Sequence, residues 1–322
     1  MRLLTIGETM GVAVTDVGDP LRTARNLHLS TAGAESTVAI GMRRLGHEAT
    51  WVGVLGDDEI GARVLRDLAA EGVDVRFKRT DPQRPTGFMI RELRTSEYTR
   101  VAYYRAGSAG AQLSAADVEA AFKAAEAQGA PVDLVHLTGI TPALGASCAG
   151  AVVHAARLAR AANVPVSFDV NYRSTLPGSA QLPEVLRELI PRVDVLFVGD
   201  DELHLVSDES DPERAALDLL NRGPSEVIVK RGEAGALAAT APDCAIVTQR
   251  ALRVRVADAI GAGDSFTAGY LAARCDGLGV KERLRWGTVA AACTVGTYGD
   301  WEGLPTRAEI ERRGGAGSRT LR

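Results

Sequence analysis

A chain of 322 residues with 46% hydrophobic and 24% charged residues has a globular balance, long enough for one large domain or two ordinary ones. Its formal net charge of -4, without a long basic run, argues against nucleic acid as a partner; a weakly acidic chain that handles anions must gather positive potential locally. No apolar run reaches transmembrane length and MRLLTIGETM lacks a signal-peptide core, so no membrane association and a cytoplasmic location are expected. The four cysteines, Cys148, Cys244, Cys275 and Cys293, have no CxxC spacing and read as small buried apolar residues, with neither a zinc site nor a disulfide framework.

In chain order, 2–6 reads as a short buried strand ending at Gly7-Glu8. Residues 11–30 are polar and irregular and predict exposed strands and turns rather than core. In TAGAESTVAIGMRRLG, from Thr31, Val38, Gly41, Met42 and Leu45 share one helical face and Gly46 ends the helix. Strand 50–55, a Gly-Asp-Asp turn and an amphipathic helix 60–71 closed by Gly72 follow. A second strand-rich insertion spans 81–110, with alternation over 86–93 and 99–104 and a turn at 95–97. With 11–31, the segment 81–111 makes a small β lid.

Regular alternation then sets in. Helices are predicted at 114–128, 148–162, 182–190 and 212–221, each leading to a buried strand, at 133–137, 165–169, 194–198 and 226–230. Such alternation implies a mostly parallel sheet wound by right-handed crossovers. Strands 236–240 and 245–256 read as antiparallel hairpins at one edge, helices 263–275 and 281–298 complete the core, and 312–322 has too little apolar content to fold. Open α/β sheets bind ligands beyond the carboxyl ends of their strands. Gly7-Glu8, Gly139, 169–171, 199–202, 230–235 and 258–264 all follow strand ends and can converge there.

The most informative stretch is DAIGAGDSFTAGYL at 258–271, between the apolar run 251–256 and a run in which Phe266, Gly269, Tyr270 and Ala273 fall at helical spacing. Gly261, Ala262 and Gly263 allow a tight turn whose N–H groups face an anion, and the helix N-terminus adds partial positive charge. A carboxylate beside an anion hole suits proton abstraction from a hydroxyl during phosphoryl transfer. Taken alone, the stretch is equally a glycine loop with Asp264 or Ser265 as an ordinary N-cap.

This stretch resembles the C-terminal signature of the PfkB, or ribokinase-like, sugar kinases, with Ala259 where Thr, Pro, Ser or Val is usual, and the match continues in order over roughly 1–310. The resemblance implies one ribokinase-like, three-layer α/β/α domain over 1–310 carrying the β lid, with ATP and Mg2+ as cofactors. It also implies that Asp264 is the base, with Gly261, Ala262 and Gly263 forming the anion hole. The proton moves late, so the base needs no raised pKa. VKRGEAGA resembles the ATP-side turn and assigns Lys230, Gly232 and Gly235, with Gly261 and Gly263, to the nucleotide. GDDE at 199–202 resembles an Asn-x-x-Glu element supporting magnesium through water; Glu202 matches, Gly199 does not, and Asp200 or Asp201 stands in. Read without the resemblance, GDDE is an acidic helix start favoured by the dipole. Asp258 falls where the resemblance implies a monovalent cation such as K+.

At the sugar end the usual Gly-Gly-x-x-x-Asn motif is here Ala32, Gly33 and Thr37, so hydroxyl contacts are expected to shift onto Glu35 or a water. Gly33-Ala34-Glu35 is similar to the 2-keto-3-deoxygluconate kinase branch. So are VAYYRAGSAG at 101–110, GITPAL at 139–144 and GDWEGLP at 299–305. By this resemblance Tyr103 contacts the sugar, Arg105 holds its carboxylate by two parallel hydrogen bonds, and Arg173 is a second carboxylate or phosphate contact. Met89 stands where some members present a tyrosine. Read alone, YYR is a lid strand with one solvated arginine. The histidines, His28, His47, His136, His154 and His204, show no metal spacing, and His136 reads as a satisfied core residue.

The function so implied is ATP-dependent phosphorylation of 2-keto-3-deoxygluconate on its terminal primary hydroxyl, by a homodimer joined through its lids with Ser108 and the exposed lid edge at the contact. The alternatives are a kinase of the same family for fructose, ribose or a nucleoside, and a non-catalytic sugar- or nucleotide-binding protein on the same fold.

Overall fold

A strand covered on both faces has to be apolar at nearly every position, because neither row of side chains meets water. The computed structural model, which describes residues 1–95 and 98–314, places these runs side by side. The first half contains β1 (Arg2–Ile6), β2 (Met10–Val14), β3 (His28–Ala32), α1 (Ala34–Arg44), β4 (Glu48–Val52), β5 (Val54–Gly56), α2 (Glu59–Ala70), β6 (Arg79–Asp81), β7 (Phe88–Leu93), β8 (Thr99–Tyr104) and α3 (Ala115–Ala127). Then come β9 (Leu134–Thr138), α4 (Ala146–Ala161), β10 (Val166–Asp169), α5 (Leu182–Leu189), β11 (Val195–Gly199), α6 (Pro212–Leu220) and β12 (Glu226–Lys230). The chain closes with β13 (Ala236–Thr240), β14 (Ala245–Gln249), α7 (Ala262–Cys275), α8 (Val280–Val295) and α9 (Arg307–Gly314).

Eight strands form the main sheet in the order β14-β13-β12-β11-β10-β9-β1-β4, parallel from β4 through β12 and antiparallel at β13 and β14. Successive residues feed two cores: Leu4, Ile6, Leu196 and Val198 pack with residues of α3–α6, while Leu3, Val195, Phe197 and Ile228 pack with α1, α7 and α8. The expected three layers, helices on both sides of a mostly parallel sheet, are present.

A second sheet, β3-β2-β7-β8, is built from the two predicted insertions. Its inner strand β2 corrects one expectation. Met10 to Ala13 are buried, because Met10 and Val12 pack with Ala32 and Met89 on one side while Gly11 rests on Ile60 of α2 on the other. Residues 96 and 97 of the expected turn lie outside the described residues.

Two further expectations fail at the C-terminal side. Residues 251–256 are not a strand: β14 stops at Gln249, and Leu252, Val254 and Val256 stand exposed between arginines. Their apolar–polar alternation finds no neighbouring ladder beyond β14, and alternation without a partner makes no sheet. The expected tail begins too early, since α9 runs to Gly314 and is anchored by the fully buried Ile310; 315–322 lie outside the described residues.

Helices α1 and α7 cross closely. A Cβ on Gly41 would lie 2.5 Å from Cβ of Ala268, so glycine is required at the crossing. The contact brings the N-terminal ends of both helices to the same side of the sheet.

Candidate active site

A cavity of about 740 Å³ opens between the second sheet and the carboxyl ends of the main strands. Its wall collects residues from every predicted strand end: Glu8 after β1, Ile140 after β9, Asn171 after β10, 199–202 after β11, Lys230 and Gly232 after β12, and the loop leading into α7. Met10, Met89, Val101, Tyr103 and Arg105 complete it from the second sheet, and Gly33 and Ala34 from the start of α1.

Helix α7 begins with Gly261 in the left-handed region, φ 76°. A side chain there would be strained and would also meet the Asp300 carbonyl at 2.1 Å. No side chain among the described residues caps the helix. Ser265 is the amide that turns back, to the Gly261 carbonyl at 2.9 Å, while its hydroxyl pairs with Thr294 at 2.7 Å. The expected capping by Asp264 or Ser265 is therefore absent, and the amides of Gly263 and Asp264 take no carbonyl partner among the described residues. A helix start left open in this way presents N–H groups and a positive pole to an anion.

Asp264 lines the cavity and accepts a hydrogen bond from Asn171 Nδ2 at 3.0 Å. Burial, and then the charge of Asp169, push its carboxyl up to about 6, against the pull of Lys230, Arg173 and Asn171. A base receiving a late proton needs no raised pKa; the low-dielectric wall raises it here all the same. Lys230 Nζ bonds both oxygens of Asp169, at 2.8 and 2.6 Å, and lies against Gly263. Burial alone would discharge it, but Asp169, Glu202 and Asp264 hold its pKa above the ordinary lysine value. Thr267 on α7 donates to the same Asp169 at 3.1 Å. A fixed ammonium thus stands beside the open helix end.

Three nucleotide-side and metal-side expectations change in detail. Gly235 does not reach the cavity; it turns the β12–β13 hairpin with φ 96°, against the Gln249 carbonyl. Glu202 does reach it, but both its oxygens are taken by backbone amides, of Tyr172 at 2.6 Å and Gly199 at 2.7 Å. Its pKa is raised by burial and then by Asp169. Asp200 and Asp201 border the cavity with exposed side chains. Asp258, expected beside a monovalent cation, is instead ion-paired with the buried Arg91.

The sugar end departs further. Arg105 forms an ion pair with Glu8, whose other oxygen accepts the Ser108 hydroxyl. Its guanidinium also lies over the Tyr103 ring, 5.7 Å from the centroid. Part of the fork expected to hold a substrate carboxylate is thus already engaged. Arg173 is exposed at the cavity wall, bonded only to the Tyr172 carbonyl at 3.0 Å, with no carboxylate within ion-pair distance among the described residues. Thr37 is buried inside α1, away from the cavity, and its Oγ1 has no partner among the described residues. Glu35 lies behind the wall on Thr138, at 2.7 Å, and Thr141, with burial pushing its carboxyl up to about 7. Ser108 is buried too, so it takes no part in an exposed contact.

Residues 2–307 match the model of the pfkB family carbohydrate kinases. The chain belongs to this family. It is 33% identical over 310 residues, 95% of its length and 93% of the relative's, to a protein of Bacillus subtilis (strain 168) named 2-dehydro-3-deoxygluconokinase. It is also 33% identical over 323 residues, 97% of each chain, to a 2-dehydro-3-deoxygalactonokinase of Haloferax volcanii. Among solved structures, a putative ribokinase II from E. coli in complex with ATP and Mg2+ superposes with TM-score 0.88 at 26% identity, covering 97% of this chain and 98% of that one.

In this carbohydrate kinase the sequence reading gave no role to four residues in or beside the cavity, Glu8, Arg91, Asp169 and Asn171, although it placed Glu8, Asp169 and Asn171 at strand ends converging there. For those three the signal was position alone: Asp169 ends β10, and Glu8 and Asn171 each stand two residues past the end of a buried strand. Arg91 gave none: it stands in the alternating run 86–93 like an ordinary solvent-facing charge, with Arg94 and Arg100 close behind. His136 is buried with Nδ1 3.1 Å from Ser167 Oγ and burial pushing its pKa down to about 4, while Nε2 has no partner among the described residues. Of the free cysteines Cys148 is buried, whereas Cys244 is exposed, contrary to expectation. No helix among the described residues is long and apolar enough to cross a membrane.

Proposed function

We propose that this kinase transfers the γ-phosphoryl group of ATP to the terminal primary hydroxyl of 2-keto-3-deoxygluconate, giving the 6-phosphate. The observation that carries the reading is Asp264, held by Asn171 at an uncapped helix start with Lys230 alongside. Phosphoryl transfer asks the protein for position and for charge neutralisation. The sugar oxygen attacks phosphorus, the bond from phosphorus to the ADP oxygen breaks, and the hydroxyl proton passes to Asp264. The free amides of Gly263 and Asp264, with Lys230, face the charge on the transferring group. Gly232, without a side chain beside Lys230, leaves room for the nucleotide.

Magnesium, arriving on the phosphates, would neutralise their charge. Among the described residues no three His, Cys, Asp or Glu side chains cluster as a metal site, so Asp200, Asp201 and a water on Glu202 are the groups that would complete its shell. The second sheet acts as a lid, its Met10, Met89 and Val101 giving the sugar an apolar cover that excludes water.

The acid sugar is supported by Arg173, a cavity cation without an acidic partner among the described residues, and by the names of the two relatives at 33% identity. The test is an ADP-release assay with Mg-ATP on 2-keto-3-deoxygluconate, its galactonate epimer, fructose, ribose and a nucleoside. Turnover on a neutral substrate alone would retire the acid-sugar reading, and no turnover on any would favour a binding protein. Replacing Arg173 with Ala should raise KM for the acid sugar roughly 10- to 100-fold, the loss of one charge-assisted contact, and leave that of any neutral sugar within twofold. An unchanged acid-sugar KM would remove Arg173 from the reading.

Dimerisation through the lids belongs to the same proposal. Strands β3 and β8 are the open edges of the second sheet and carry exposed Leu29 and Tyr104. Sedimentation at high protein concentration should show a dimer, and a lone monomer would dispose of it.

A further inference from the structure

Arg91 sits on β7, in the second sheet, yet its guanidinium lies among residues of the loop that starts α7. The side chain is 1% exposed. Nη2 is paired with Asp258 Oδ2, and Nη1 donates to Asp300 Oδ1 at 2.9 Å. Asp258 in turn organises the loop: Oδ1 accepts the Ile260 amide at 3.1 Å and Oδ2 the Gly299 amide at 3.3 Å. Asp300 closes the circle, because its carbonyl packs directly on Gly261. The backbone that opens the anion hole is therefore held from both sides by two carboxylates sharing one buried cation.

The family resemblance implied a monovalent cation near Asp258. The residues present do not fit one. Both Asp258 oxygens are already filled, Oδ1 by the Ile260 amide and Oδ2 by Arg91 and the Gly299 amide, and Arg91 supplies beside Asp258 and Asp300 the positive charge that an ion would bring. Lying on the same strand as the cavity residue Met89, Arg91 also links the sheet covering the sugar to the loop facing the phosphate.

We infer that Arg91 is a positioning residue, a cation built into the chain that holds Asp258 and Asp300 and thereby the 258–263 loop, so that phosphoryl transfer here requires no exchangeable monovalent cation. The inference rests on the kinase reading for its kinetic arm only.

The experiment compares wild type, Arg91→Ala and Arg91→Lys in potassium, sodium and tetramethylammonium chloride at equal ionic strength. The unfolding midpoint is measured without substrate, and kcat and KM with ATP and the sugar. Wild type should show the same midpoint in all three salts and rates within twofold. Arg91→Ala should lose about a hundredfold in kcat with a smaller change in the sugar KM, and Arg91→Lys, or guanidinium added to Arg91→Ala, should recover part of it. A potassium-specific rise in the wild-type midpoint, or tenfold activation by potassium, would overturn the inference. So would a folded Arg91→Ala with wild-type kcat, or equal loss in all variants without recovery. Should Arg91→Ala not fold, the wild-type salt series and Arg91→Lys still decide. A wild type inactive on every sugar would count against the proposed function, while the midpoints still report on the cation.

Discussion

Replacing Asp264 with asparagine is expected to lower kcat about a thousandfold, the usual worth of a positioned base, and at the same time to stabilise the protein above pH 6. Asparagine keeps an oxygen for the Asn171 amide, so the geometry survives while the proton acceptor is lost. The stability effect follows from linkage. Burial holds the folded-state carboxyl at about 6 against 3.8 for an ordinary aspartate, so the unfolded chain gives up this proton first. Wild-type stability therefore falls as pH rises from about 4 to 6, and above 6 the full penalty is present. Removing the charge should restore about 3 kcal/mol at pH 8 and well under 1 kcal/mol at pH 4. Urea unfolding at both pH values measures this, and a gain independent of pH would show that burial of the charge is not its cause. The wild-type enzyme should also lose kcat/KM tenfold per unit below about pH 6 as Asp264 protonates. A variant keeping a tenth of the activity would rule Asp264 out as the base.

Arg105→Ala is expected to cost about 3–5 kcal/mol of stability, more than a lost substrate contact would suggest. Its partner Glu8 has a side chain only 1% exposed, and without Arg105 that charge keeps the Ser108 hydroxyl as its hydrogen-bond donor. A buried carboxylate stripped of its cation is among the costlier defects a core can hold. Adding Glu8→Gln should recover most of the loss, since a neutral amide needs no counter-charge. Urea unfolding of the single and double variants forms the cycle that checks it. A loss below about 1 kcal/mol for Arg105→Ala alone would mean that the pair is not held in solution. The consequence for enzymology is practical: Arg105→Ala would confound substrate recognition with stability, and Arg173→Ala is the cleaner probe of acid-sugar binding.

The difference between these two arginines shows where sequence reasoning stops. Periodicity and glycine placement are local, and they carried the parallel sheet, the helices of both outer layers, the two insertions of the second sheet and the strand-end positions that meet in the cavity. The 258–271 stretch likewise announced the glycine turn that opens a helix, because a tight turn before a helix is written in adjacent residues. What local pattern cannot contain is which charge meets which. Asp258 and Arg91 are 167 residues apart, and Lys230 and Asp169 are 61 apart. Coulomb energy depends on distance in space and on burial, and both come into being only when the sheets pack. The same limit explains 251–256, whose alternation is a strand pattern without a neighbour to bond. It also explains Asp264, whose place beside a cap residue was legible but whose freedom from capping was decided by Gly261, Thr294 and Asn171 arriving from elsewhere in the fold. The chain's pattern by itself determined the layers and where the cavity opens; the tertiary structure alone decided which of its charged groups are spent on one another and which stay free for a ligand.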